Sequence, residues 1–431
     1  MQTLVSADRL RFLIHRLRER LWVKPLVVCL LSVGAAFVAR LADDAGLAKF
    51  VPEISLDSIE TLLSIMASSM LVIATFSVAS MVSAYASASS TATPRSFGLV
   101  VADDVSQNAL STFVGAFIFS IVALMAAKNA YFEKAGIFVL FALTAFVFGI
   151  VIFTFVRWVD SVARLGRIGS TIDKVEKATS DALKLRQKIP YLCGMPIKTT
   201  QVHEGQPVYA TRIGYVQHID MATIQVWAEE SDLQVEIASL PGTLATPDRA
   251  LAYVRQPSSD RADTDFGCIN ESFQIGNDRL FEDDPRFGLV VLSEIAGRAL
   301  SPAVNDPGTA ISVIGALLRI FIIWTRPITA CEAEAPKYDR IAVPEISIND
   351  MFDDAFTAIA RDGAGVVEVS VRLQKALGSL ALTEHPEIRD AALYHGRLAL
   401  KRASLALDID EDLAIVREAA NYTESVNNLP T

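Results

Sequence analysis

The chain has 431 residues, of which 52% are hydrophobic, and a formal net charge of −10. That length holds two or three domains, and the mean hydropathy of +0.36 is high for a protein dissolved in water. The acidic balance excludes a nucleic-acid partner, which needs a basic face. The 4 cysteines and 5 histidines are too scattered for a disulfide framework or a metal site, and no motif asks for a cofactor.

The apolar excess lies before residue 160. A helix needs about 20 apolar residues to cross a hydrocarbon layer roughly 30 Å thick. Four charge-poor runs qualify: PLVVCLLSVGAAFVA between Lys24 and Arg40, the stretch between Glu60 and Arg95, LSTFVGAFIFSIVALMAA between Asp104 and Lys128, and AGIFVLFALTAFVFGIVIFTFV between Lys134 and Arg157. Trp22 and Val23 extend the first run while Lys24 snorkels. Ahead of it, RLRFLIHRLRER within residues 1–20 reads as an amphipathic segment suited to an anionic leaflet, or as a solvated helix start.

Arg9, Arg11, Arg16, Arg18 and Arg20 precede the first run, and Arg157, Arg164, Arg167, Lys174 and Lys177 follow the fourth. The loop after the first run is acidic, with Asp43, Asp44, Glu53 and Asp57. The positive-inside rule then places both termini in the cytoplasm of a multi-pass inner-membrane protein. A cleaved signal peptide is disfavoured, because the basic region is long and VARLADD is a poor cleavage site.

The second run is the most informative. Residues 61–94 carry no charge, about 50 Å as one helix and more than a bilayer needs. Its second half is mostly Ser, Ala and Thr, and Ser80, Ser83, Ser87 and Ser90 recur at three- and four-residue steps along one face. Such a face suits close helix packing or a wetted path. No ionisable residue sits mid-span, which argues against proton-coupled transport. Four helices make a thin bundle, so a conducting path calls for several copies around an axis.

From 159 onward the chain reads as a cytoplasmic α+β region. Residues 159–195 continue the fourth span as a connector helix. Residues 196–257 form a small β-rich module, with strands in QPVYATRIGYVQHI, DLQVEIASL and RALAYVR, a short helix in MATIQVWAEE and a turn at Pro241, Gly242 and Thr243. His218 and Asp220 lie two apart there and read as turn chemistry.

Residues 258–345 form a helix–turn–helix region, and 346–431 a helical bundle. Asp284-Pro285, Ser301-Pro302 and Asp306-Pro307 repeat a cap-plus-proline grammar. ISVIGALLRIFIIW is apolar nearly all round, but it is short and holds Arg319, so burial in a soluble core fits it better than a fifth span. Arg298, Ser301, Asn305, Asp306 and Thr309 cluster at the turn as candidates for a ligand or interface, or as the capped joint between two helices.

ATFSVASMVSAYASASSTATPR, LSTFVGAFIFSIVAL, GYVQHID and RALSPAVNDPGTA together resemble a widespread family of bacterial integral membrane proteins filed as a domain of unknown function. The last stretch is its most specific signature. The family typically has aliphatic or glutamine residues in place of Ser83 to Ala88 and a bulky residue at Gly308; its PGD-like turn is PGT here. The resemblance implies the architecture, and a β module like the small barrels of carrier-type domains without their cofactor-bearing lysine. It implies no activity.

The expectation is therefore an α-helical polytopic membrane protein with four transmembrane helices and a cytoplasmic α+β region, in contact with lipid and forming a homo-oligomer. The best functional reading is a channel-like protein whose second span lines the path. The alternative is a non-conducting sensor or scaffold whose cytoplasmic region takes a small ligand, ion or partner. No phosphate-binding loop, nucleophile elbow or dinucleotide fingerprint supports an enzyme.

Overall fold

The computed structural model describes residues 23–44, 52–91, 93–96, 98–99, 104–162, 167–197, 205–255, 265–326 and 334–421. The amphipathic segment expected at 1–20 lies outside them. The chain divides into two compact units between Ser170 and Thr171.

The first unit contains α1 (Val23–Asp44), α2 (Leu56–Thr91), α3 (Asp104–Lys128) and α4 (Lys134–Val162). These contain the four apolar runs, with charged residues near the helix ends. α2 is one helix of 36 residues, about 54 Å at the α-helical rise. Its buried face steps by three and four through Ile59, Leu63, Met66, Met70, Ala74, Ser77 and Met81. That face shares one core with Phe113, Ala116, Phe119 and Ala123 of α3. Trp158 of α4 joins this core, edge-on to Phe113 with centroids 5.9 Å apart.

Asp43, near the end of α1, ties α1 to the start of α4. Its carboxylate accepts from the Glu133 N–H at 2.9 Å and the Gly136 N–H at 2.6 Å, where a negative charge also suits the helix dipole. A Cβ on Gly136 would stand 2.3 Å from an Asp43 oxygen and 2.9 Å from the Ala39 carbonyl oxygen, so glycine alone permits this approach. The outward surfaces carry large apolar side chains, among them Val72 (68% exposed), Phe146 (66%) and Phe153 (69%). Apolar surface of that kind is matched by lipid and not by water.

The second unit opens on α5 (Ile168–Lys188). The sequence reading runs the fourth span straight into this segment; the described helices stop at Val162 and resume at Ile168. The β region comprises β1 (Gly194–Pro196), β2 (Gln206–Tyr209), β3 (Gly214–Ile219), α6 (Met221–Glu230), β4 (Gln234–Ile237), β5 (Leu244–Ala245), β6 (Ala250–Arg255), α7 (Gly267–Ser272), β7 (Phe273–Gly276) and β8 (Tyr338–Val343). A mixed sheet orders as β1-β8-β4-β6-β2, with β8 parallel to both β1 and β4, and a three-stranded antiparallel sheet as β5-β3-β7. Two strands thus come from beyond residue 257. The sheets and α6 share one core that includes Val216, Ile224, Leu233, Val235, Leu251 and Ile341.

The remaining helices are α8 (Pro285–Ala299), α9 (Pro307–Trp324), α10 (Ile348–Asp362), α11 (Val367–Ala381), α12 (Pro386–Ala406) and α13 (Asp410–Ala419). Val313, Ile314, Leu317, Ile320 and Phe321 of α9 are fully buried. Phe321 packs on Phe352 and Phe356 of α10, with centroids 4.5 and 5.4 Å away. On the exposed side of α9, Arg319 forks Glu176 of α5 through two bonds of 2.6 Å. By length and composition alone, five described helices could cross a membrane: α1 to α4 and α9. The expected count of four therefore does not follow from those two properties.

Candidate functional site

The serine stripe lies beside the packed face of α2 and not within it. Ser77 is buried, Ser80 and Ser87 are half-buried, and Ser83 is exposed. On a helical projection at about 100° per residue, Ser80, Ser83 and Ser87 fall well away from the Met70–Ser77–Met81 line. Nearer the other end of the helix the same outer sector is apolar, through Leu62, Ile65, Val72 and Phe76. The Ser90 side chain lies outside the described residues.

The SPAVNDP turn is a helix-to-helix joint. Leu300 closes α8, and the Asp306 N–H returns to the Ala299 carbonyl at 2.8 Å. Asp306 then caps α9, accepting from the Thr309 N–H at 3.0 Å and the Thr309 hydroxyl at 2.6 Å, with Pro307 in the first turn. These bonds hold the Asp306 carboxyl below its ordinary pKa, the Thr309 hydroxyl contributing most. Asn305 takes the left-handed conformation (φ 50°), which an asparagine tolerates.

Ser301 departs from the expected grammar: no helix starts at Pro302. Its hydroxyl donates back to the Arg298 carbonyl at 2.7 Å, and its carbonyl accepts from Val304 and Asn305. Arg298, Ser301, Asn305, Asp306 and Thr309 are thus gathered in one turn, with the Ser301, Asp306 and Thr309 side chains engaged locally.

His218 and Asp220 part company. Asp220 caps α6 through the Thr223 N–H at 3.1 Å, while His218 Nδ1 meets Asp283 at 2.5 Å.

Asp283 leads to a charged recess that sequence reasoning did not reveal. Asp284 caps α8 through the Phe287 N–H at 3.2 Å and is forked by Arg279 at 2.6 and 3.0 Å. Burial pushes its carboxyl above the ordinary range, against the pull of Arg279. The Pro241–Thr243 turn lies over this carboxylate. A Cβ on Gly242, which has φ 93°, would stand 2.3 Å from an Asp284 oxygen, so glycine is required twice over.

Arg286 splits its fork between Asp350 at 2.6 Å and Asp354 at 2.7 Å, joining α8 to α10. Arg186 of α5 is only 4% exposed and donates through Nη2 to the Asp283 carbonyl at 3.1 Å. Its Nη1 is buried with no acceptor among the described residues. Burial brings its pKa down to about 10, partly countered by Asp283 and Asp284. The only sequence signals for this site were the Asp284-Pro285 cap and the PGT turn; the arginines come from distant positions with no shared spacing.

The architecture and the RALSPAVNDPGTA joint can be set beside known proteins. The family described as "Predicted membrane protein (DUF2254)" has a sequence profile that matches residues 18–379. The chain belongs to that family. It is also similar to the uncharacterized protein MT1328 of Mycobacterium tuberculosis and the uncharacterized protein Mb1321c of Mycobacterium bovis. Each is 33% identical over 115 residues, 26% of this chain and 22% of the relative. The aligned part spans about a fifth of those relatives' length. No solved structure matches. Family membership and the apolar helices together make this a multi-pass membrane protein in contact with lipid.

Proposed function

We propose that this family member is a homo-oligomeric, channel-like protein of the bacterial inner membrane, without enzymatic activity. In this reading α1 to α4 span the bilayer and α9 belongs to the soluble unit. Both termini and the soluble unit, including its small barrel-like β module, face the cytoplasm. The serine face of α2 lines a path between copies.

The observation that carries the reading is the outward placement of Ser83 and the partial exposure of Ser80 and Ser87, on a helix longer than a bilayer needs. A hydroxyl exposed at Ser83 gains nothing from lipid, whereas the surface of another copy or a wetted path suits it. Purified protein in liposomes is expected to pass ions, and Ser83→Phe is expected to reduce that flux. Flux that is absent, or unchanged in Ser83→Phe, overturns the reading, as does a monomeric mass in detergent by light scattering.

A second reading, a non-conducting sensor, is favoured by one observation: the recess around Arg186 offers a place for a ligand.

A further inference from the structure

The recess has a volume of 390 Å³ and lies between the Pro241–Thr243 turn and the starts of α8 and α10. Four arginines line it, Arg186, Arg249, Arg279 and Arg286, against the carboxylates of Asp284, Glu345 and Asp350. Asp284 takes the Arg279 fork and Asp350 accepts from Arg286, while Glu345 keeps its charge and accepts from the Tyr191 hydroxyl. Four arginines against three carboxylates leave the lining with an excess of one positive charge. Arg186 sits at the buried end with an idle Nη1, and Arg249 is exposed at the mouth.

We propose that this recess binds a small phosphate-type oxyanion, held between Arg186 at its floor and Arg249 at its mouth. A charged donor buried without an acceptor is costly, and native structures seldom keep one without a reason. An anion supplies the missing acceptor. The N-terminus of α10 brings its positive end to the same wall at Ser347, whereas that of α8 is already met by the Asp284 carboxylate. A phosphate group presents three acceptor oxygens, and both Arg186 and Arg249 line the recess that would hold it. Arg186 also borders a neighbouring recess, but Glu345, Glu384 and Glu387 line that side and make it unattractive to an anion. The inference is independent of conduction, because it concerns only the soluble unit.

The test is calorimetric titration of the full-length protein in detergent with inorganic phosphate, against potassium chloride at equal ionic strength. A second arm uses a short-chain phosphatidic acid. Saturable phosphate binding is expected, weakened at least about tenfold in Arg186→Gln by loss of a charge-assisted bond. A smaller, several-fold weakening is expected in Arg249→Ala, an exposed position that leaves the fold intact. Tighter binding of the phosphatidic acid assigns the anion to a lipid headgroup, and tighter binding of phosphate assigns it to a soluble molecule. No saturable heat from either ligand up to tens of millimolar overturns the proposal. So does binding that both variants leave unchanged. Should Arg186→Gln fail to stay monodisperse, Arg249→Ala decides alone. Flux and phosphate heat are separate readouts, so each proposal fails on its own experiment.

Discussion

Both units turn hydroxyls back on their own helices, Thr179 of the second onto the Val175 carbonyl among them, but the second also partly buries charged groups in long-range pairs. In the first, hydroxyls turn back on their own helix: Thr75 to the Leu71 carbonyl at 2.9 Å, Ser111 to Gln107 at 2.7 Å, Ser120 to Ala116 at 2.7 Å and Thr144 to Leu140 at 2.7 Å. In the second, polar groups reach across the sequence: Gln225 to Asp339 at 2.6 Å, His218 to Asp283 at 2.5 Å and Arg286 to Asp354 at 2.7 Å. On the proposed reading, in which the second unit lies in water, the difference follows from the solvent. A helix in hydrocarbon keeps only those polar groups its own backbone can satisfy. A unit in water can carry ions and bury them when they arrive in pairs.

Substitutions can break this contrast or sharpen it. The largest effect is expected at Gly242→Ala, where the left-handed backbone and the Asp284 carboxylate both resist a Cβ. Strain and displacement of a buried cap together suggest roughly 3 kcal/mol, read as a lower unfolding midpoint of the second unit. Asp43→Ala removes the one long-range carboxylate cap described above for the membrane unit, and is expected to cost about 1–2 kcal/mol in detergent unfolding. A neutral result there would place the strength of that unit in apolar packing alone.

Acidification separates the units next. Burial lowers the His395 pKa more than Asp353 raises it, so the folded state keeps this ring neutral. The unfolded chain takes up a proton near pH 6.5, at about the ordinary imidazole value. The stability contributed is therefore present above that pH and declines as pH falls through it. His395→Gln is expected to flatten this part of the unfolding profile of the second unit and to leave the first untouched. The smallest change is expected for Glu176→Gln. Its partner Arg319 is 61% exposed at the side chain, so the pair is worth at most about 0.5–1 kcal/mol.

The legible parts of the molecule are those written locally. The four apolar runs became α1 to α4 because hydropathy over a window that long admits few alternatives. Asp306-Pro307 gave the start of α9, since cap and proline act within one turn. The same grammar misled at Ser301-Pro302, where the chain needed a turn between two helices and bent the serine back onto Arg298. β8 escaped notice because its meaning is non-local: it pairs in parallel with β1 and β4 from far along the chain. The recess was illegible for the same reason. Arg186, Arg249, Arg279 and Arg286 share no period, and only the fold brings them to one wall.

α9 carries a consequence for biosynthesis. By length and composition it could cross a membrane, yet on the four-span reading it must stay out of one. Glu176 precedes Arg319 in the chain, so the neutralising carboxylate has already left the ribosome when the guanidinium emerges. That pair is weak, and the aromatic partners of α9 on α10, Phe352 and Phe356, emerge only after it, so on this reading the sealing of α9 away from the lateral gate is completed late in synthesis.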